Sequence, residues 1–96
     1  MGIDEILGEH RSAVLELAER HGASNVRVFG SIARGNATTT SDVDLLVNMD
    51  EGRSFLDLCA LGDALEDLLG RRVDVVTEPA LSRHLRERIL EEAIAL

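Results

Sequence analysis

The sequence predicts a small α/β (α+β) domain, three short strands backed by helices in the order α-β-(α)-β-α-β-α. Apolar residues recur at helical spacing in three stretches and on alternate positions in three shorter ones. Gly22, Gly30 and Gly70 fall at the junctions between these stretches. The 96 residues, 45% of them hydrophobic, suffice for one core and hence a single domain, residues 1–96.

Residues 3–21 read as a helix with Ile3, Ile6, Leu7, Val14, Leu17 and Ala18 on its apolar face, ended by Gly22 in a left-handed cap. Asn25 to Phe29 is a strand with Val26 and Val28 on one face. Gly30 breaks it, and Ser31 to Arg34 can form one helical turn. The polar stretch 35–41, GNATTTS, is a loop. Asp42 to Val47 is the second strand, with Val43, Leu45 and Val47 on one face and Asp42, Asp44 and Leu46 on the other. A turn at 48–53 leads to Ser54, which caps a helix with Asp57 in the capping-box position. Leu58, Leu61, Leu65, Leu68 and Leu69 form that helix's stripe, and Gly70 ends it. Arg72 to Val76 is the third strand, with Asp74 facing opposite Val73 and Val75. After Glu78-Pro79 a last helix runs to about Ile94 on a stripe of Leu81, Leu85, Ile89 and Ala93. Strand order and direction do not follow from these patterns.

The formal net charge is −8, and all ten basic residues are arginine. That balance argues against a protein that grips nucleic acid directly, because such a grip rests on cationic contacts to phosphates. Two Phe, no Tyr and no Trp leave little for stacking on bases. No apolar run approaches the ~20 residues of a membrane span. The acidic, amphipathic start MGIDEILGEH is unlike a secretory signal. With a lone Cys59, read as a small apolar residue on a buried helix face, these features point to the cytoplasm. His10, His21 and His84 lack the spacing of a zinc motif.

The acids carry the chemistry. Aspartate is disfavoured in strands because its short polar side chain competes with the backbone for hydrogen bonds. Yet Asp42 and Asp44 sit in one strand and Asp74 in the middle of another. Residues i and i+2 share a face with Cα atoms roughly 6–7 Å apart, and Asp74 joins them if its strand is a neighbour. At ~5 Å and an effective dielectric of ~20, each ionised pair costs on the order of 3 kcal/mol unless a cation intervenes. Oxygen ligands without His or Cys suit Mg²⁺, with Mn²⁺ an alternative. Two ions ~3.5–4 Å apart serve a phosphoryl displacement, Asp42 and Asp44 bridging both and Asp74 holding the one that activates the attacking hydroxyl. Gly30-Ser31 follows a strand and opens a helical turn, where free N–H groups face an anion. The Ser31 hydroxyl and Arg34 would add a donor and a charge for a triphosphate.

Read together, Gly30-Ser31, a ten-residue spacer and Asp42-Val43-Asp44 spell G-S-x₁₀-D-x-D. This resembles the signature of the DNA polymerase β-like nucleotidyltransferase superfamily, and the fuller string GSIARGNATTTSDVDLLV is similar to its minimal nucleotidyltransferase branch. Asp74 in RVDVV matches the third acid of the pattern. The resemblance covers essentially the whole chain. It implies a nucleotidyltransferase fold with a small mixed sheet, catalytic and metal-holding roles for Asp42, Asp44 and Asp74, and nucleotide binding by Gly30, Ser31 and Arg34. It further implies ATP as substrate, two Mg²⁺ ions and a partner, since many members of this branch act as antitoxins that move AMP onto a tyrosine of a HEPN-domain ribonuclease toxin. Two alternatives stand beside that expectation: an antitoxin that neutralises by binding alone, and a transferase acting on a small molecule of the aminoglycoside type.

Overall fold

A computed structural model describes residues 1–96. The chain runs through α1 (Ile3–Leu7), α2 (Arg11–Arg20), β1 (Ala23–Phe29), α3 (Gly30–Arg34), β2 (Val43–Met49), α4 (Phe55–Leu69), β3 (Val73–Thr77), α5 (Arg83–Glu92) and β4 (Ile94–Ala95). Short 3₁₀ turns join α1 to α2 at Gly8–His10 and β3 to α5 at Glu78–Ala80. The four strands form one mixed sheet in the order β3-β2-β1-β4. β2 runs parallel to β3 and antiparallel to β1, and β4 lies antiparallel to β1. A parallel pair needs a crossover, and α4 supplies it.

One face of the sheet carries the core. Val28, Val43, Leu45, Val47, Leu61, Leu65 and Val14 are buried in a single apolar cluster. Helices α2 and α4 cover it from β1 and β3 respectively. Ile32 reaches into the same cluster and anchors the short α3. Ser54 caps α4 as its sequence predicts: its Oγ accepts from the Leu56 N–H at 3.2 Å, and its own N–H donates to Asp57 Oδ2 at 2.8 Å.

The structure corrects the sequence reading at six places. The first helix is interrupted at Gly8, where the poor helix propensity of glycine lets the chain tighten into a 3₁₀ turn. β1 begins earlier, at Ala23, and carries one extra residue between Ser24 and Arg27, with Asn25 at φ 49°. Asp42 lies just before β2, which opens at Val43. The last helix stops at Glu92, and Ile94–Ala95 becomes an edge strand paired with Arg27 and Val28. That helix keeps Leu85 and Leu90 in solvent, and Cys59 is exposed on α4 rather than buried. Helical spacing finds an apolar stripe but does not say whether a neighbour covers it. No helix is long and apolar enough to cross a membrane.

Candidate active site

The sheet register brings the acids and the glycine-serine turn to one end of the sheet. Asp44 pairs with Asp74 across the parallel ladder of β2 and β3. Paired residues of neighbouring strands project from the same face, so the two carboxylates stand side by side. On its other flank Asp44 pairs with Phe29, the last residue of β1. The chain then passes into Gly30 and α3, which places the turn against Asp44. A Cβ at Gly30 would fall onto Asp44 Oδ2, and Gly30 adopts φ +75°, so both space and backbone require glycine there.

The loop 35–41 is tied down at both ends. The Met1 ammonium donates to the carbonyls of Gly35 and Ala37 at 3.1 and 3.0 Å. Arg71 Nη1 donates to the Ser41 carbonyl at 3.1 Å. These contacts deliver Asp42 to the start of β2, beside Arg72. Arg72 Nε lies 3.9 Å from both Asp42 Oδ2 and Asp74 Oδ1. Arg72 is exposed and the two aspartates are partly open to water, so this bridging contributes little to stability.

Asp44 differs from its neighbours. Its carboxylate makes no hydrogen bond within the chain and is pushed from the usual 3.8 to about 6. Burial is the largest cause, the charges of Asp74 and Asp42 come next, Arg34 opposes them, and Glu92 adds to them. The three aspartates do not close into a ready-made three-ligand cage. Their chemistry still fits magnesium, which usually takes one or two carboxylates and fills the rest of its shell with water and substrate phosphates. A half-buried carboxylate with raised pKa and no protein partner is what such an ion relieves.

Linkage sets a pH dependence. The folded protein holds the Asp44 proton more tightly than the unfolded chain, so the stability it contributes is full below about pH 4 and is lost as pH rises through about 6. Asp44→Asn removes the charge and keeps the shape. In metal-free buffer near pH 7 it is expected to stabilise the protein by about 1 kcal/mol, after discounting for solvent screening at this open site. That corresponds to a rise of about 4–8 °C in Tm, with no rise near pH 4. Thermal unfolding in EDTA at the two pH values measures it, and a clear loss near pH 7 would make Asp44 structural.

Of the six residues singled out from sequence, Gly30, Ser31, Asp42, Asp44 and Asp74 gather here. Arg34 belongs to the same turn but is engaged: its Nη1 lies 3.0 and 3.2 Å from the two carboxylate oxygens of Glu92. Glu92 Oε2 also accepts from the Gly30 N–H at 2.7 Å. Sequence reasoning missed both Glu92 and Arg72. Arg72 stood two residues before a singled-out acid, a signal that was available. Glu92 sits 62 positions from Gly30 and carried none. The largest surface hollow, about 520 Å³ between Leu81 and the α5 residues Arg86 and Leu90, includes none of the three aspartates. A smaller groove of about 220 Å³ beside α4 is lined by Phe55, Leu58, Cys59, Val75 and Asp74.

The chain is similar to known proteins along almost its whole length. The family model described as a nucleotidyltransferase domain matches residues 9–96. The protein adenylyltransferase MntA of Thermococcus cleftensis is 41% identical over 92 residues, covering 96% of this chain and 90% of that protein. A candidate protein adenylyltransferase of Methanocaldococcus jannaschii is 40% identical over 94 residues, covering 98% and 97%. A solved structure described as a candidate minimal nucleotidyltransferase shares 56% identity at a TM-score of 0.87, covering 100% of this chain and 97% of that one. A toxin–antitoxin crystal structure with AMP-PNP shares the fold at a TM-score of 0.77 and 19% identity, covering 90% of this chain and 71% of that one.

Proposed function

Because the chain belongs to the nucleotidyltransferase family, we propose that it is a protein adenylyltransferase of the MntA type, moving AMP from ATP to a hydroxyl of a cognate toxin. The finer reading is a Mg²⁺-dependent transfer to a tyrosine of a HEPN-type ribonuclease, with this chain as its antitoxin, working in the cytoplasm as a single domain, residues 1–96. The observation that carries the chemistry is the alignment of Asp44 with Asp74 directly beside Gly30.

In the proposed reaction the acceptor oxygen attacks the α-phosphorus of ATP. A new P–O bond forms, the bond to the β-phosphate bridging oxygen breaks, pyrophosphate leaves, and the hydroxyl proton passes to water at the open face. The Gly30 and Ser31 amides, the Ser31 hydroxyl and Arg34 would hold the phosphate oxygens that do not react. Asp42 and Asp44 would hold the metal, and Asp74 would complete it on the acceptor's side, where exposed Phe55 lines the neighbouring groove. The bound metal would supply charge neutralisation at the attacking and leaving oxygens. Antitoxin action by binding alone leaves Asp44 unexplained, since a carboxylate raised by burial and by its like-charged neighbours opposes folding and serves no contact.

The test uses the complex with the co-purified partner. Supplied with Mg²⁺ and ATP labelled at the α-phosphorus, the partner should acquire label, whereas ATP labelled at the γ-phosphorus should transfer none. Transfer of the γ label would mean phosphorylation, and label from neither would overturn the transferase reading. Screening small hydroxyl compounds in the same assay settles the small-molecule alternative.

A further inference from the structure

The carboxylate of Glu92 occupies the cradle that the proposed function gives to phosphate. It accepts the Gly30 N–H at 2.7 Å and meets Arg34 Nη1 with both oxygens, at 3.0 and 3.2 Å. A backbone amide at a strand-to-helix turn together with a guanidinium is the donor set that recognises a phosphate oxygen. Glu92 presents an anion of similar charge and reach. Its side chain is only 20% exposed, so this is a seated contact and not a passing surface pair. The seat is also built. Glu92 ends α5, and the next residues lock that end to the sheet through the pairing of Ile94 and Ala95 with β1 and the Leu96 N–H to Val26 carbonyl bond at 2.9 Å.

The Gly30 N–H has one hydrogen, and Arg34 Nη1 is shared between both Glu92 oxygens. A triphosphate oxygen cannot take these donors while Glu92 holds them, and the two anions would repel across the same few ångströms. We propose that Glu92 is a built-in competitor for the nucleotide's phosphates, which holds the cradle in the nucleotide-free protein and is expelled when ATP binds. The proposal rests on the nucleotide site described under the proposed function. Two consequences follow. The apparent nucleotide affinity is lowered by the fraction of molecules in which Glu92 is seated. Nucleotide binding also loosens the α5–β4 junction, coupling the cradle to the sheet edge at β4.

Binding of AMP-PNP with Mg²⁺, of inorganic tripolyphosphate and of adenosine to the full chain tests this by calorimetry. Glu92→Gln removes the charge with little change of shape, and Glu92→Ala removes the contact. Both variants should bind AMP-PNP and tripolyphosphate about 10-fold more tightly than the wild type, with adenosine unchanged. In the wild type, AMP-PNP should accelerate amide exchange at Ile94 to Leu96. Equal or weaker AMP-PNP binding by both variants would overturn the proposal and mark Glu92 as a residue that positions Arg34. Gly30→Ala separates this from failure of the site itself. If Gly30→Ala weakens AMP-PNP binding while the Glu92 variants gain nothing, only the competitor falls; if Gly30→Ala binds like the wild type, the nucleotide site falls and the competitor with it.

Discussion

The double substitution Asp42→Asn with Asp44→Asn should abolish transfer of AMP to the partner, lowering the rate by on the order of 10³-fold or more. Arg72 spans Asp42 and Asp74, and Asp44 is aligned with Asp74 in the parallel ladder. Asparagine keeps the shape and removes the negative charge, so it takes away what would hold a divalent ion in the proposed reaction and little else. The same change removes the charge whose burial, and whose repulsion by Asp74 and Asp42, raise the Asp44 carboxyl to about 6. Lost activity should therefore accompany unchanged or increased metal-free stability, a combination that separates loss of chemistry from loss of fold. Label transfer to the co-purified partner and thermal unfolding of the same preparations measure both. Persistent labelling by the double variant would remove the carboxylates from the mechanism.

Gly30→Ala is the second large effect, and it acts on fold and chemistry together. Gly30 stands at φ +75°, where an L side chain is strained by on the order of 1–3 kcal/mol. The added Cβ would fall onto Asp44 Oδ2, with Asp44 Cγ at 3.1 Å and Asp44 Cβ at 3.4 Å. Either the turn or the carboxylate must move. A displacement of about 1 Å at a reacting site costs on the order of 10²-fold in rate. Gly35 provides the control, since it has φ +80° but no atom within 4 Å of an added Cβ. Gly35→Ala should therefore lower Tm by backbone strain alone and leave label transfer near the wild-type rate. Equal loss of transfer in both variants would mean that the close approach of Gly30 to Asp44 has no part in catalysis.

The candidate site was more legible than some of the fold around it. Aspartate in the middle of an apolar strand contradicts the local propensity, and such contradictions stand out in a single sequence. Asp44, Asp74 and the glycine-serine break were visible for that reason, and the sheet register then brought them together. The capping box at Ser54 and the glycine ends of α2 and α4 were legible because their causes lie within a few residues. What escaped depends on distant partners. Ile94 and Ala95 become a strand only because β1 offers them an edge. Leu46 shares the acid-bearing face in the strand alternation yet is fully buried, where the register pairs it with Arg27. Glu92 reads as one more acid in a charged helix end until the fold carries it to Gly30.

Diffraction from a crystal soaked with AMP-PNP and Mn²⁺, collected at the manganese absorption edge, tests the central claim most directly. The account predicts an anomalous peak in contact with the Asp42 and Asp44 carboxylates on the side toward Asp74, with the nucleotide's phosphates on the Gly30 and Ser31 amides. Manganese and phosphates bound away from these aspartates, or a nucleotide seated in the α5 hollow, would contradict it.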